Sequence, residues 1–171
     1  TNICDSFRLR HGDVDKGFQE ADVIIEQKYN TKGIQHSPIE THCATAQYDE
    51  RGLVIWTPAQ SPFMLRGQLA KLFNLSINKV RLICTYVGGG FGGKYELRAE
   101  PLAAALAMRT DGRPVKLVFT RQEEYLSSGV RGPSYVHLKT GAKKDGTLTA
   151  YEVKVYYDTG AYTTTGPRVT Y

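Results

Sequence analysis

The order of apolar and polar positions predicts a frame of short strands interrupted by a few helices. Apolar and polar residues alternate over residues 7–11, and residues 23–29 open with three branched aliphatic side chains, so both segments are predicted to be strands. Between them, Asp13 can cap a short helix over residues 14–21. The entry of the chain is therefore predicted to be a small β-α-β unit.

Two hairpins are predicted further along, where apolar and polar residues alternate on both sides of a turn sequence. The first hairpin has strands at residues 45–48 and 53–56, joined by the turn DERG at residues 49–52. The second has strands at residues 135–140 and 148–157, on either side of the turn KDG at residues 144–146.

Two longer segments have the apolar period of a helix. Ser61 and Pro62 suit the N-cap and first position of a helix that ends near residue 74. Residues 98–109 form the second, in which Pro101 is tolerable only in the first turn. The apolar face of the first helix is predicted to consist of Leu65, Leu69, Leu72 and Phe73. Residues 79–86 and 115–119 are predicted to be the remaining strands, and residues 121–126 a short helix or turn. The pattern predicts a mixed α+β fold, with a largely antiparallel β frame and two main helices, over residues 1–171 as a single domain or fragment.

Composition narrows the class of protein. The 171 residues are 41% hydrophobic and 23% charged, which is typical of a soluble globular domain, and no apolar run approaches the length of a membrane span. The net charge of +5 comes from scattered lysines and arginines without a nucleic-acid-binding motif, so neither a membrane nor a nucleic acid is expected as a partner. Three widely spaced cysteines argue against a disulfide framework, zinc or an iron–sulfur cluster within this chain and favour a cytoplasmic location.

One glycine-rich segment stands out as a candidate ligand site. Residues 87–94 read VGGGFGGK, between a predicted strand and a predicted helix. In that arrangement backbone N–H groups and a helix N-terminus can converge on an anionic ligand. The segment also fits the dinucleotide pattern GxGxxG, but only weakly, and a turn that packs a helix against a sheet stays open. A phosphate-binding P-loop is rejected, because Tyr95 stands where that motif needs Ser or Thr.

Two other positions carry candidate chemistry. Residues 36–42 contain His36, Glu40 and His42, and a buried hydrogen-bonded loop is favoured there over a metal site ligated by the protein. Gln60 is predicted to lie where a strand passes into a helix, so its amide could donate to or accept from a bound group. On position alone, a solvent-exposed glutamine is the favoured interpretation.

The glycine-rich segment and several others together resemble a known family. Residues 88–94 resemble the molybdopterin-site motif of the xanthine dehydrogenase and aldehyde oxidase family of molybdenum hydroxylases. Further segments that match this family's pattern or spacing cover nearly the whole chain: residues 39–43 (IETHC), 57–60 (TPAQ), the helix up to residue 73, 78–82 (NKVRL), 111–116 (DGRPVK) and 158–162 (DTGAY).

This resemblance implies a part of a molybdopterin-binding domain, near the start of the second half of a molybdenum subunit. The parent would hydroxylate an aldehyde or an aromatic N-heterocycle, or reduce a related aromatic compound, with water as the source of oxygen. Its cofactor would be molybdopterin, in a dinucleotide form, and its partners the rest of the subunit and the domains or subunits that hold [2Fe-2S] clusters and FAD. The piece alone would be inactive.

The resemblance also implies roles for particular residues. The glutamine matching Gln60 hydrogen-bonds an oxygen on molybdenum, and the loop matching Gly90, Phe91 and Gly92 packs against the metal and the pterin. Xanthine-type members place a purine-binding Glu directly after the loop's Lys. Here Tyr95 occupies that position and Glu96 follows, which makes both candidate substrate contacts and argues against xanthine. The family's general base lies outside this chain, so no catalytic residue is assigned.

Two hypotheses from other classes remain. In the first, the chain is a non-catalytic binding or assembly module whose glycine-rich segment holds a phosphate or a partner. In the second, it is a nucleotide-binding domain, against which the missing Ser or Thr counts.

Overall fold

The computed structural model describes residues 2–161 and divides into two compact units. One unit contains the described residues up to 34 and from 131 onward, and the other contains residues 35–130. No helix within residues 2–161 is long and apolar enough to cross a membrane.

The described residues contain four α-helices and nine strands. The helices are α1 (Val14–Gln19), α2 (Pro62–Leu72), α3 (Ala99–Ala107) and α4 (Arg121–Ser127), with a 3₁₀ turn at Ile77–Lys79. The strands are β1 (Val23–Thr31), β2 (Ile34–Gln35), β3 (Cys43–Asp49), β4 (Gly52–Trp56), β5 (Val80–Ile83), β6 (Val115–Val118), β7 (Val130–Arg131), β8 (Ser134–Ala142) and β9 (Leu148–Tyr157).

The unit formed by the two ends of the described chain is a three-stranded sheet with the order β1-β8-β9. Both pairings are antiparallel, so the predicted hairpin of β8 and β9 is confirmed. Helix α1 begins after Asp13, whose side chain accepts a hydrogen bond from the backbone N–H of Lys16 at 3.1 Å, as the sequence predicts. Its Gly17 packs against Thr149 and Ala150 of the sheet, where a larger residue would not fit.

The predicted strand at residues 7–11 is wrong, and with it the β-α-β entry unit. These residues form no strand, and Leu9 is 82% exposed. An alternating pattern becomes a strand only when a neighbouring strand completes its hydrogen-bond ladder, and alternation in sequence does not supply that neighbour.

The central unit is a four-stranded sheet with the order β5-β4-β3-β6. Strands β3 and β4 form the predicted hairpin, β6 adds to β3 antiparallel, and β5 adds to β4 in parallel. Helix α3 presents a row of alanines to this sheet, and small side chains let the helix approach it closely. The fully buried core residues of the unit include Ala46, Leu53, Ile55, Leu69, Ala99, Ala103 and Ala104.

The two main helices are confirmed, with two corrections at their edges. Helix α2 begins at Pro62 as predicted and buries Leu65 and Leu69, but Leu72 is 58% exposed, so its apolar face is narrower than predicted. Strand β5 ends at Ile83 rather than at residue 86. Cys84 therefore lies beyond the strand, where its thiol donates to the Ala59 carbonyl at 3.2 Å.

The fold is a mixed α+β arrangement with mainly antiparallel sheets, as the sequence predicts. Of the segment 158–162 that resembles the family, Tyr162 lies outside the described residues.

Candidate functional site

Residues 88–94, here called the glycine loop, form a closed turn in the central unit. Gly93 donates its backbone N–H to the carbonyl of Gly90 at 2.7 Å. Three residues have positive φ: Gly89 (97°), Phe91 (53°) and Gly92 (91°). Glycine adopts such angles freely, whereas Phe91 does so at a cost, and its side chain is still 62% exposed. Backbone strain that displays an aromatic ring points to a functional loop.

Gln60 fastens this loop from the segment between β4 and α2. Its Oε1 accepts hydrogen bonds from the backbone N–H groups of Gly92 at 3.0 Å and Lys94 at 3.1 Å. Its own backbone N–H donates to the Lys94 carbonyl at 3.0 Å. Because both groups that face the end of the side chain are donors, the side-chain atom facing them must be the carbonyl oxygen. The Nε2 amino group of Gln60 has no acceptor among residues 2–161, so it remains available as a donor.

The glycine loop packs tightly against Gln60, and this contact requires glycine at position 90. A Cβ on Gly90 would lie 2.5 Å from Gln60 Cδ and closer still to Oε1. Gly90 is buried, and within residues 2–161 neither its N–H nor that of Gly89 finds an acceptor. Buried backbone donors are nearly always satisfied. The buried N–H of Gly90 and the half-buried N–H of Gly89, beside the amino group of Gln60, fit a bound group that supplies oxygen acceptors.

Glu40 and Lys94 hold the two ends of the glycine loop together. Glu40 Oε2 accepts from the Gly88 N–H at 2.8 Å and from the Lys94 ammonium at 2.7 Å. The N–H of Glu40 donates in turn to the Gly88 carbonyl at 3.1 Å. Lys94 is only 2% exposed and directs its charge to Glu40, whereas a P-loop lysine must reach a phosphate. This geometry agrees with the rejection of a P-loop from the sequence.

His42 contacts the loop from within the unit, and Glu124 in turn contacts His42. His42 Nε2 lies 3.2 Å from the Gly93 carbonyl, and Nδ1 lies 2.9 Å from both carboxylate oxygens of Glu124. Glu124 Oε2 also accepts from the His42 N–H at 2.7 Å. Burial alone would raise the pKa of Glu124, but the hydrogen bonds and charge of His42 hold that pKa below its usual range. Glu124 is therefore a carboxylate at neutral pH.

The segment 36–42 is a hydrogen-bonded loop as predicted, but it is only partly buried, because Ser37 and Ile39 are exposed. Glu40 and His42 bond to the glycine loop, and the ring of His36 lies beside Gly93, where an added Cβ would be 3.2 Å from its Cγ. No cluster of three or more His, Cys, Asp or Glu residues able to hold a metal occurs in the described part of the chain. Glu124 is the site residue that sequence reasoning missed. The segment was predicted to be a short helix or turn, but no local signal pairs Glu124 with His42, 82 residues earlier.

The order strand, glycine loop, helix is as predicted, and the helix begins within one residue of its predicted start. Helix α3 begins at Ala99, and the N–H of Arg98 donates to Glu100 Oε2 at 2.9 Å. The intervening residues include Tyr95, which is 46% exposed, and Glu96, which pairs with Arg98 at 3.0 Å. That the N-terminus of α3 faces a ligand of the glycine loop stays a prediction, and the loop's own N–H groups are further available donors.

Comparison with known proteins decides the family. The model of the molybdopterin cofactor-binding domain matches residues 1–171, the whole length of the chain. The chain belongs to the molybdopterin cofactor-binding domain family. It is also 41% identical over 170 residues to the nicotinate dehydrogenase large molybdopterin subunit of Eubacterium barkeri, and 40% identical over 169 residues to a subunit of a probable xanthine dehydrogenase from Bacillus subtilis.

The match covers only part of each relative. It spans 99% of this chain but 40% of the Eubacterium protein, and 98% of this chain but 23% of the Bacillus protein. Among solved structures, the aldehyde oxidoreductase from Desulfovibrio gigas superimposes on 93% of the chain with a TM-score of 0.81 and 32% identity, over 18% of its own length. The chain is therefore similar to one part of much longer molybdenum enzymes.

The residues of the glycine loop fit a molybdopterin cofactor on the structure's own terms. The close approach of Gly90 to Gln60 excludes any side chain there, and the donors of Gly89, Gly90 and Gln60 lack acceptors within residues 2–161. A molybdopterin-bound metal presents oxygen acceptors and takes its other ligands from the pterin, so the protein needs to supply donors rather than metal ligands.

Proposed function

We propose that this molybdopterin cofactor-binding domain is part of the molybdenum subunit of a hydroxylase that acts on an aldehyde or an aromatic N-heterocycle. The relatives named as nicotinate dehydrogenase and aldehyde oxidoreductase support both substrate classes. The chain corresponds to less than half of each of these proteins, so the reaction would require the rest of the subunit.

The free amino group of Gln60 is the observation that carries this proposal. Two N–H groups of the loop occupy Gln60 Oε1, so the side chain is fixed with its donor end unused by residues 2–161. A donor held in advance costs no reorganisation when charge develops on the atom that it contacts. In this proposal Gln60 Nε2 and the Gly90 N–H donate to oxygens of the bound cofactor.

The molybdenum cofactor, when bound, would supply the oxidising metal and the oxygen that is transferred to the substrate. The protein's residues orient it: Gln60 and Gly90 donate hydrogen bonds, and Gly92 fixes Gln60 by its own N–H. The exposed ring of Phe91 offers an apolar surface that can exclude water beside the reacting carbon. Phe91 and Gln60 would thus act on the metal only through the oxygens of the cofactor.

Tyr95 and Glu96 are proposed substrate contacts, and their arrangement favours a substrate other than xanthine. Tyr95 offers a phenol ring and hydroxyl at 46% exposure, and the carboxylate of Glu96 is already paired with Arg98. A purine that needs a free carboxylate would have to compete with Arg98 for Glu96. Aldehydes and simpler N-heterocycles make no such demand.

Domains or subunits carrying [2Fe-2S] clusters and FAD are proposed as partners that receive the electrons. The relatives support this proposal, because two of them are described as subunits. We also propose a cytoplasmic location, for which the free thiols of Cys4, Cys43 and Cys84 are suited.

Gln60→Glu in the full-length parent enzyme tests the proposal. Glutamate keeps an oxygen for the N–H groups of Gly92 and Lys94, and its second oxygen replaces the donor by a negatively charged acceptor, which the Gln47→Glu control also introduces. We expect kcat with aldehydes and N-heterocycles to fall by roughly 10²- to 10³-fold, as when one fixed donor is removed from a reacting oxygen. Phe91→Ala should also lower turnover, with pterin still bound.

The matched control is Gln47→Glu. The Gln47 amide donates to the Gly112 carbonyl at 2.9 Å in the same unit, so this variant removes an equivalent donor away from the glycine loop. Its kcat should remain near that of the unmodified enzyme. Equal turnover for Gln60→Glu and Gln47→Glu would contradict the donor role of Gln60.

A further inference from the structure

Four ionisable side chains are buried in the central unit, and the proposed reaction uses none of them directly: His42, Lys94, Glu100 and Glu124. Lys94 is matched by Glu40, and Glu100 accepts the N–H of Arg98. His42 and Glu124 are 3% and 0% exposed, so neither faces solvent. A pair of ionisable groups this deep is expensive to desolvate and is weak evidence for stability alone, so its role is sought in the segment that it holds in place.

The pair ends on the carbonyl of Gly93, within the glycine loop. The N–H of this residue closes the turn onto Gly90 at 2.7 Å, and its carbonyl faces His42 Nε2 at 3.2 Å. The residues on either side, Gly92 and Lys94, donate their N–H groups to Gln60 Oε1. Gln60 thus holds the loop by accepting from two of its N–H groups, and His42 holds it at one of its carbonyl groups.

Both nitrogens of the His42 ring face atoms that only accept. Nδ1 faces the carboxylate of Glu124, and Nε2 faces the Gly93 carbonyl. Each contact is a hydrogen bond only if that nitrogen carries a proton, so the ring is an imidazolium when both bonds form. A charged donor makes a stronger hydrogen bond than a neutral one. Glu124, whose pKa lies below its usual range, supplies the opposite charge.

The surroundings leave His42 and Glu124 little freedom to move. The His42 carbonyl accepts from the Phe119 N–H at 2.9 Å, and the His42 N–H donates to Glu124. Helix α4, which carries Glu124, begins with a capping box between Thr120 and Glu123. The ring of His42 is therefore fixed at both its backbone and its Nδ1 end before it reaches the loop.

We propose that His42 and Glu124 are positioning residues that set the conformation of the glycine loop through the Gly93 carbonyl. The proposal rests on the proposed function only for its effect on turnover, because the order of the loop can be measured without a reaction. His42 would keep Gly93 in place, and with it the amides that bind Gln60 and the turn that presents the Gly90 N–H. The pair would touch neither substrate nor cofactor.

Two substitutions of His42 separate its two bonds. In His42→Asn the amide nitrogen takes the place of Nδ1, so the bond to Glu124 can persist while the contact with Gly93 is lost. In His42→Gln the amide nitrogen reaches the place of Nε2, so the contact with Gly93 can persist while the bond from Nδ1 is lost. Both variants lose the imidazolium, so a loss of general stability should affect them similarly.

The measurement is amide hydrogen exchange at Gly92 and Lys94 in the full-length parent enzyme, together with kcat and KM. We expect exchange roughly 10- to 100-fold faster in His42→Asn, which loses the contact with Gly93. A smaller acceleration is expected in His42→Gln, which keeps a donor facing the Gly93 carbonyl but loses the bond that Glu124 makes to Nδ1. The value of kcat should fall in His42→Asn with KM nearly unchanged, because the loop acts on the cofactor rather than on substrate binding.

Leu69→Ala serves as the stability control, because it removes a fully buried side chain of the same unit without touching the loop. It should lower the melting temperature without selectively speeding exchange at Gly92 and Lys94. Equal exchange in His42→Asn and His42→Gln would overturn the proposal, as would wild-type exchange in His42→Asn.

If His42→Asn does not fold, Glu124→Gln decides. Faster loop exchange than in Leu69→Ala supports the proposal, and equal exchange overturns it. Altered exchange with unchanged turnover would leave the positioning of the loop intact and contradict the proposed function instead.

Discussion

Replacing Gly90 by alanine tests the contact on which the glycine loop depends. The backbone angles of Gly90 do not require glycine, because positive φ occurs at Gly89, Phe91 and Gly92 instead. The obstacle is space: an added Cβ would lie 2.5 Å from Gln60 Cδ and 2.9 Å from its Cγ, well inside van der Waals contact. Gln60 would have to move, and its Oε1 would then lose the N–H groups of both Gly92 and Lys94.

The expected magnitude follows from those two hydrogen bonds. Each hydrogen bond contributes about 0.5–1.5 kcal/mol, so losing both lowers the free energy of local opening by about 1–3 kcal/mol. Exchange of the Gly92 and Lys94 amides should accelerate roughly 5- to 150-fold, as measured by mass spectrometry on peptides covering the glycine loop. Turnover should fall as well, because Gln60 Nε2 leaves its position.

Gly67→Ala is the matched control for this prediction. Gly67 lies in the interior of α2, is exposed, and has nothing within 4 Å of an added Cβ. Alanine there should stabilise the helix by about 0.5–1 kcal/mol and leave the loop's exchange unchanged. Wild-type exchange and turnover in Gly90→Ala would refute the reasoning, because the loop would then tolerate a side chain against Gln60.

Two further predictions concern the buried charges. Lys94→Met should destabilise the loop by about 1–3 kcal/mol, because Glu40 loses its ammonium partner. The control Lys71→Met, on the exposed part of α2, should change stability little. Hydrogen exchange of residues 88–94 distinguishes the two variants. The pKa of Glu124 is depressed in the folded chain, so its ionised form contributes stability at neutral pH that is lost as the pH falls through the folded pKa. The protection of amides around α4, expressed relative to their intrinsic exchange rates at each pH, should therefore fall in acid, and Glu124→Gln should flatten that pH dependence. An unchanged loss of protection in Glu124→Gln would contradict the assignment to Glu124.

Local patterns predicted most of the elements, because their determinants are close together in sequence. Pro62 after Ser61 marked the start of α2, and the turn around Gly52 marked the β3–β4 hairpin. Residues 7–11 failed for the opposite reason, since a strand needs a neighbour that alternation does not provide. The prediction that Leu72 is buried was wrong, because the helical period of apolar residues marks a face of the helix but not how far the neighbouring sheet extends beneath it.

The candidate site was predictable in part. The glycine loop was visible as a composition anomaly, and Gln60 was placed at a strand-to-helix junction, where it lies between β4 and α2. The sequence left open whether its amide donates or accepts, because only the two N–H groups facing Oε1 decide that. Glu124 was not predicted, because its partner lies far away in sequence and only the packing of α4 brings them together.

Molybdenum and pterin content of the purified full-length parent tests the central claim most directly. The protein should be produced with molybdate and cofactor synthesis intact, and both components should be measured in the wild type and in Gly90→Ala. We expect about one molybdenum and one pterin per subunit in the wild type and a lower content in Gly90→Ala, because the proposed cofactor site includes the glycine loop. A wild-type protein that holds neither component under these conditions would contradict this claim, and the glycine loop would then have to be explained by another ligand.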